Sequence, residues 1–322
     1  MDKNSCIFIA GHNGMVGSAI VRNLKSKGYT NLLTASRKKL DLLDQSAVEN
    51  FFSNNSIDYV IDCAAKVGGI HANDVYRGEF IYQNLQIQNN LIHFSHLYKV
   101  KKFLFLGSVC IYPKFTDQPI REEYLLSSPL EPTNSPYAVA KIAGVKMCES
   151  YYKQYGSNFI SVMPANLYGE NDNFHPENSH VLPALLRRFT EAKESKAEEV
   201  VVWGTGDAMR EFMHVDDLAD ACIYIIQKSN FKKIYDDGVS HINIGTGEEI
   251  SIKNLAYMIA DVVGYKGKIT FDLSKPDGTL KRVLDNSRLK SLGWNYSISL
   301  RDGIEKTYNW FISQKGENLR NV

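Results

Sequence analysis

Two short stretches hold the residues that can do chemistry. Gly107-Ser-Val-Cys-Ile-Tyr112 sets a hydroxyl, Ser108, and a thiol, Cys110, two residues apart at the end of an apolar run. Tyr137-Ala-Val-Ala-Lys141 sets a phenol and an amine at i and i+4, on one face of a helix. A phenol titrates near ~10, so at neutral pH it relays protons poorly unless a nearby cation lowers its pKa. Lys141, one turn on, is expected to supply that cation. Ser108 is placed to bond the same carbonyl oxygen that Tyr137 would protonate. A thiolate at Cys110 could take a proton from the carbon beside that carbonyl. Tyr-x-x-x-Lys alone is common by chance. It becomes specific with a serine 29 residues upstream at a strand end and a glycine-rich loop before both.

That loop is Gly11-His12-Asn13-Gly14-Met15-Val16-Gly17, between an apolar run and a helical pattern. Gly11 permits the tight turn, Gly14 lets a pyrophosphate approach the backbone, and Gly17 lets the helix pack against a sheet. The helix start offers free N–H groups and positive partial charge to the anion. The spacing is GxxGxxG rather than GxGxxG, so the strand–loop–helix context carries the dinucleotide reading. An NAD site usually ends its second strand in a carboxylate for the ribose 2′-OH. Here the run is Thr34-Ala-Ser-Arg37-Lys38, with no acid and two cations. Arg37 and Lys38 therefore point to the 2′-phosphate of NADP. Asp41 and Leu42 are expected at the adenine edge, and Ala64 and Ala65 along the cofactor cleft. Leu106 and Gly107, which lead into Ser108, are counted with the same cleft. So are Pro164, Asn166 and Leu167, at a later strand end.

These groups need a frame. Apolar runs at 6–10, 32–36, 59–64, 103–108 and 159–163 alternate with helical patterns at 15–27, 46–52, 75–98 and 136–155. Such alternation predicts an α/β fold: a Rossmann-type doubly wound parallel sheet with helices on both faces. The run Phe103-Leu-Phe-Leu106 suits a strand covered on both sides. After Pro164 loops lengthen, at 169–179, 204–209, 245–249 and 275–279. Helical patterns fall at 181–193, 215–227, 251–263 and 300–311, and short strands at 200–202 and 241–244. The expected division is a cofactor domain over 1–165 and a smaller α/β substrate domain over 166–322. Parts of 215–245 are expected to pack back on the first. The residues after about 313 are polar and read as a frayed end.

Composition narrows the classes. The chain has 322 residues, 44% hydrophobic and 23% charged, which suits about two globular domains and argues against disorder. Lys+Arg 37 against Asp+Glu 36 gives no support for a nucleic-acid or membrane-surface partner. No apolar run approaches the ~20 residues of a membrane span, and the first apolar run is too short for a signal peptide. A cytoplasmic protein is the expectation. Five scattered cysteines without CxxC spacing make neither a disulfide framework nor a zinc site, and no metal is expected.

Taken together, these motifs resemble the extended short-chain dehydrogenase/reductase family. The likeness runs over nearly the whole chain and includes Gly11–Gly17, Ala64-Ala-Lys-Val-Gly-Gly-Ile70, Ser108-Val-Cys-Ile-Tyr-Pro113 and Glu131-Pro-Thr-Asn134. It continues through Tyr137–Gly144, Asn166-Leu-Tyr-Gly169, Asp172–Pro176, Asn178-Ser-His180, Arg210-Glu-Phe212, His214-Val-Asp-Asp217 and Lys275-Pro-Asp-Gly278. Within the family it is most similar to enzymes acting on GDP-4-keto-6-deoxy-D-mannose. The resemblance implies epimerisation at C3 and C5, then NADPH-dependent reduction of the C4 ketone to GDP-L-fucose. It gives Ser108, Tyr137 and Lys141 the reductase roles, and Cys110 and His180 the roles of epimerisation base and acid. It also places His180 beside the cofactor, and Asn166, Arg188, Trp203, Arg210 and Asp277 on the GDP-sugar. A homodimer through the helices near 75–98 and 136–155 is implied as well.

Three positions depart from the family pattern. Asn13 stands where Arg is common, so the preference for NADP rests on Arg37 and Lys38. Val109 replaces a usual Ser and Ala165 a usual Thr, both beside the reacting sugar. Relatives acting on another GDP-4-keto sugar, a 6-deoxy-heptose or a colitose precursor, therefore stay open, including ones that only reduce. An NAD-dependent nucleotide-sugar 4-epimerase would consume no NADPH, and a non-catalytic sensor would not need the Tyr137–Lys141 pair.

Overall fold

Short apolar runs become strands and the intervening periodic segments become helices, in the order the sequence predicts. In the computed structural model the described residues are 1–176, 179–228, 231–275, 277 and 279–314. Asn178, Pro276 and Gly278 of the motifs above, and the polar tail from 315, lie outside them. The strands are β1 (Ile7–Ala10), β2 (Leu32–Leu33), β3 (Tyr59–Asp62), β4 (Lys102–Leu106), β5 (Phe159–Pro164), β6 (Asn166–Tyr168) and β7 (Glu199–Trp203). Then come β8 (Met209–Arg210), β9 (Phe212–His214), β10 (His241–Ile244), β11 (Ile250–Ser251), β12 (Lys268–Asp272) and β13 (Lys281–Arg282). The helices are α1 (Met15–Ser26), α2 (Gln45–Ser53), α3 (Ile70–Val75), α4 (Arg77–Leu97), α5 (Ser135–Tyr155) and α6 (Val181–Ser195). They continue with α7 (Val215–Lys228), α8 (Phe231–Asp236), α9 (Ile252–Val263), α10 (Ser287–Ser291) and α11 (Leu300–Ser313).

Six parallel strands form the main sheet, in the order β2-β1-β3-β4-β5-β10. The chain steps outward from β1 to β2, then crosses to β3. The strand order therefore reverses between β1 and β3, where such sheets open a crevice at their carboxyl ends. Every residue of β1, β5 and β10 is buried, as sheets covered on both faces require. α1 packs on α7, and α4 on α2 and α5.

Local chemistry sets several boundaries. Asp44 caps α2 by accepting from the Ala47 N–H, and Ser251 caps α9 through the Asn254 N–H. α5 begins with Pro136 in its first turn and ends at Gly156, left-handed at φ 70°. Three expected boundaries move. The second strand stops at Leu33, so Arg37 and Lys38 stand in a turn beyond the sheet. The helix expected over 75–98 forms as α4 over Arg77–Leu97, and Tyr76 at φ −101°, ψ 38° separates it from the short α3 before it. The fourth strand ends at Leu106, and Ser108 starts a 3₁₀ turn over Val109–Ile111. The short pairs β6–β9, β8–β11 and β8–β13 and the partner strand β12 were not visible as periodic runs.

Among the described residues two large apolar cores form, with a small cluster of Ala72, Phe80 and Tyr137 apart from them. The first lies around the main sheet and takes in Val215–Ile226 of α7 and Ile242 and Ile244 of β10, as expected for 215–245. It also takes Leu284, Leu289 and Trp294, which the sequence reading left with the later part of the chain. The second joins Leu182–Phe189 of α6, Val200 and Val202 of β7, α9 and α11.

Candidate active site

The glycine loop is built by backbone contact. Gly11 has φ +75°, and a Cβ there would lie 2.8 Å from the Cys63 carbonyl oxygen and 2.9 Å from the Ala64 backbone. A Cβ on Gly17 would lie 2.2 Å from the Gly11 carbonyl oxygen. The loop thus locks to the end of β3 on one side and to its own helix on the other. α1 starts at Gly14 with no side-chain cap, so its first N–H groups face the crevice. Met15 and Val16 pack partly buried against the first core. A loop this close to bare backbone, with uncapped N–H groups, fits a pyrophosphate, and the residues present fit a dinucleotide cofactor.

Around it, His12 is half-buried, and desolvation lowers its pKa. Arg37 and Lys38 are exposed in the turn after β2. Arg37 Nε lies 4.0 Å from Asp41 Oδ1, a loose pair that leaves the guanidinium available. The Leu42 carbonyl accepts from Asn90 on α4, which pins this edge of the crevice. Asn13 has no cation to contribute, as the sequence indicated.

The reacting groups meet at the end of β4. Gly107 lets β4 approach β5: a Cβ there would lie 2.2 Å from Met163 Cε. Ser108 caps the 3₁₀ turn by accepting from the Cys110 N–H at 3.3 Å. α5 is drawn onto the sheet at Gly144, where a Cβ would lie 2.4 Å from the Phe105 ring. That close contact brings Tyr137 and Lys141 to the same strand end. The Ser108 side chain stands beside the Tyr137 phenol and acts to lower its pKa. Its ring stands edge-on to Phe80 at 6.2 Å, and Cys110 packs against this small apolar cluster with Ala72. The structure therefore brings Ser108, Cys110, Tyr137 and Lys141 together.

One expectation about them is overturned. The sequence suggested that Lys141 would lower the phenol's pKa. Instead burial pushes Tyr137 well up, the neighbouring Cys110 adds to this, and the Ser108 side chain offsets only part. Lys141 Nζ turns the other way, donating to the Leu106 carbonyl at 2.8 Å and lying 4.6 Å from the Phe105 ring centre. A buried ammonium needs an acceptor, and the strand end provides one. The phenol is left protonated, the form that can donate to a carbonyl oxygen.

His180 is the N-terminal capping residue of α6, with no side-chain cap bond. Its residue is exposed, and desolvation by the neighbouring protein lowers its pKa. Among the described residues no hydrogen bond joins it to Cys110. Asn166 sits on β6, its amide donating to the Glu211 carbonyl at 2.9 Å. Pro164 ends β5 and Leu167 follows on β6, above the carboxyl end of the main sheet.

The expected sugar-nucleotide contacts cluster on the second core. Trp203 ends β7 with 61% of its surface exposed. Arg188 lies 6.0 Å and Lys275 5.3 Å from its ring. Asp277 accepts from the Thr205 N–H at 2.7 Å and from its hydroxyl at 2.9 Å, fixing the turn after Trp203. Arg188 also donates to the Val201 carbonyl, and Arg210 to that of Met209. Burial, then Arg282, lowers the pKa of Arg210, and Asp277 acts the other way. An exposed ring flanked by cations and a carboxylate suits a flat base followed by a diphosphate.

The sequence reading missed several contributors. Arg282 donates to the Val109 carbonyl at 2.8 Å and to those of Tyr112 and Pro113 at 3.4 and 3.2 Å, clamping the Cys110 turn from β13. Its partner in the ladder is Arg210. Glu211 is buried and accepts from the backbone N–H groups of Gly247 and Leu284 at 2.8 Å each, holding the loops behind Arg210. Lys275 and Thr205 complete the Trp203 cluster. No local sequence signal marks Arg282. A carboxylate closing the apolar run of β3, Asp62, was a signal that could have been used.

Comparison with known proteins fits this geometry. The model of the NAD dependent epimerase/dehydratase family matches residues 7–245. GDP-L-fucose synthase 1 of Arabidopsis thaliana is 57% identical over 97% of this chain and 94% of its own. GDP-L-fucose synthase of Escherichia coli is 55% identical over 96% and 97%. A GDP-D-glycero-L-gluco-heptose synthase from Campylobacter jejuni, solved in the presence of NADPH, superposes with a TM-score of 0.91 at 43% identity, covering 97% of this chain and 99% of that one.

Proposed function

The chain belongs to the NAD dependent epimerase/dehydratase family, and within it we propose that this protein makes GDP-L-fucose. It inverts C3 and C5 of GDP-4-keto-6-deoxy-D-mannose and then reduces the C4 ketone with NADPH. One observation carries the reading. The Tyr137 phenol of α5 is packed beside Ser108 and Cys110 of the 3₁₀ turn, so an acid for the carbonyl oxygen and a base for the adjoining carbon meet at one strand end.

Bound NADPH supplies hydride to C4. The chain's own residues do the rest. Gly11–Gly17 and the start of α1 hold the pyrophosphate, and Arg37 and Lys38 favour a 2′-phosphate. Trp203, Arg188, Arg210 and Asp277 hold the GDP moiety. Cys110 as thiolate takes the proton from C3 or C5, and Tyr137 and Ser108 hold the enolate oxygen. His180 returns a proton to the opposite face. Once the epimers are set, Tyr137 protonates the C4 oxygen. In this reading 1–165 serves the cofactor and most of 166–322 the sugar nucleotide.

A homodimer belongs to the same reading, supported by exposed apolar side chains on α4 and α5: Tyr82 at 62% and Val139 and Tyr155 near half. Cytoplasmic residence goes with water-soluble substrates, and no helix among the described residues is long and apolar enough to cross a membrane. A second reading keeps the chemistry and changes the sugar to a GDP-4-keto heptose. The Campylobacter relative favours it, as do Val109 and Ala165 beside the site.

Incubation with GDP-4-keto-6-deoxymannose and NADPH in D2O, followed by NMR of the product, tests the proposal. Deuterium at C3 and C5, a reduced C4 and the L-fuco configuration are expected. Reduction without deuterium uptake would leave a C4 reductase, and no net NADPH oxidation would sink the reading.

A further inference from the structure

Asp62 is the last residue of β3, a strand otherwise apolar, and it is 2% exposed. In the ladders it stands between Ala10 of β1 and Phe105 of β4, at the carboxyl edge where the glycine loop begins. Its Oδ1 accepts from the Ala64 N–H at 3.0 Å, while its Oδ2 is buried with no hydrogen-bond partner. The amine of Lys141 stands at the same strand end. That amine lies 4.6 Å from the ring of Phe105, the residue registered with Asp62, and bonds the carbonyl of the next residue, Leu106. Lys141 is itself 3% exposed and forms no direct ion pair among the described residues. A buried charge with no opposite charge nearby is strongly unfavourable.

We propose that Asp62 is the counter-charge of Lys141, a positioning residue that holds the amine as an ammonium at the sheet edge. The inference rests on the proposed C4 reduction, in which the Lys141 amine, at the strand end that leads to Ser108, serves the cofactor. The electrostatics agree in sign. Burial lowers the pKa of Lys141, and Asp62 is the largest influence raising it, followed by Cys63. Burial raises Asp62 to about 6, against the pull of Lys141 and the Ala64 N–H. Above about pH 6 the carboxylate is therefore ionised and supports the ammonium.

The other groups around the pair are weak competitors. Cys63 follows Asp62, and burial pushes its thiol up. Cys148, two turns along α5, is pushed up to about 12 by burial. Cys222 reaches Cys63 from α7 and is likewise pushed up by burial. From α4 the facing group is the neutral amide of Gln88, donating to the Ala140 carbonyl. From the 3₁₀ turn, Ser108 and Cys110 face Tyr137 rather than the amine.

A purely structural Asp62 would only shape the Ala64 turn, and Asn keeps that acceptor. The test is the pH–rate profile of C4 reduction by the full-length wild type, Asp62→Asn and Lys141→Met. In Asp62→Asn the alkaline limb should move down by about one pH unit or more, a roughly tenfold loss on that limb. Its NADPH binding at neutral pH should be kept. Superimposable wild-type and Asp62→Asn limbs would overturn the proposal. Lys141→Met retaining full reduction would instead overturn the reading of Lys141, so the two failures are distinct. A measurement on wild-type protein does not depend on the variant folding. The ¹⁵N shift of Lys141 Nζ should inflect near pH 6 as Asp62 titrates, and a flat response across that range would also overturn the proposal.

Discussion

Tyr137 and Cys110 share one environment and respond to it differently. Burial keeps the phenol protonated, the form the proposed acid needs, while the proposed base at Cys110 needs the thiolate. Replacing Tyr137 by Phe removes that acid and should lower C4 reduction by about 10²–10⁴-fold, read by NADPH oxidation. Cys110→Ser should abolish deuterium uptake at C3 and C5 in D2O while C4 reduction survives; persistent uptake would move the base elsewhere. At the far end of the cofactor, the Arg37 guanidinium is loosely held, so Arg37→Ala should cost NADPH about 10–100-fold in Kd and leave NADH little changed. Equal weakening of both would show that Arg37 does not read the 2′-phosphate.

Elements position these residues through a few close contacts. Gly144 lets α5 lie on β4, and Ala there would press its methyl into the buried Phe105 ring. Overpacking of this kind costs about 1–3 kcal/mol, so Gly144→Ala should lower the unfolding midpoint in urea and also slow reduction, since Tyr137 rides on the same helix. The 3₁₀ turn bearing Cys110 is held from outside by Arg282 on β13. Arg282→Ala should reduce deuterium wash-in by at least about tenfold through loss of charge-assisted hydrogen bonds. Reduction should fall less, and Arg282→Lys should recover part of the loss. Equal loss of both activities would point to general destabilisation instead.

Among the described residues two large cores form, and the proposed chemistry draws on both sides. Ser108, Cys110, Tyr137 and Lys141 stand at the carboxyl end of the main sheet, Tyr137 and Cys110 in a small cluster with Phe80, while His180 begins a helix of the second core. In the proposed function epimerisation depends on how the two parts are held, and reduction chiefly on the main sheet. The same assembly buries imidazoles. His214 is fully buried and held at about 4 by desolvation, below its unfolded value. As pH falls from about 6.5 toward 4 the unfolded chain takes up a proton that the folded His214 refuses, so stability is lost through that window. His214→Asn should make the loss shallower by about 1.4 kcal/mol per pH unit, measured by denaturant unfolding at each pH. Parallel curves would show that His214 is protonated at no cost.

The alternation of apolar runs and periodic helices determined the parallel sheet, because strands buried on both faces must be apolar along their length. The glycine spacing determined the cofactor loop, because only bare backbone fits where Gly11 meets Ala64. Ser108, Tyr137 and Lys141 were legible because their spacing is local to a strand end and a helix face. The two-residue strands of the second part were not legible, because too few residues repeat to show a period. Tertiary structure alone decided where Lys141 points, what clamps the Cys110 turn, and that Asp62 is buried beside Phe105 at the sheet edge. Each of these depends on residues far apart in sequence, joined by ladder register and helix packing that no local pattern records.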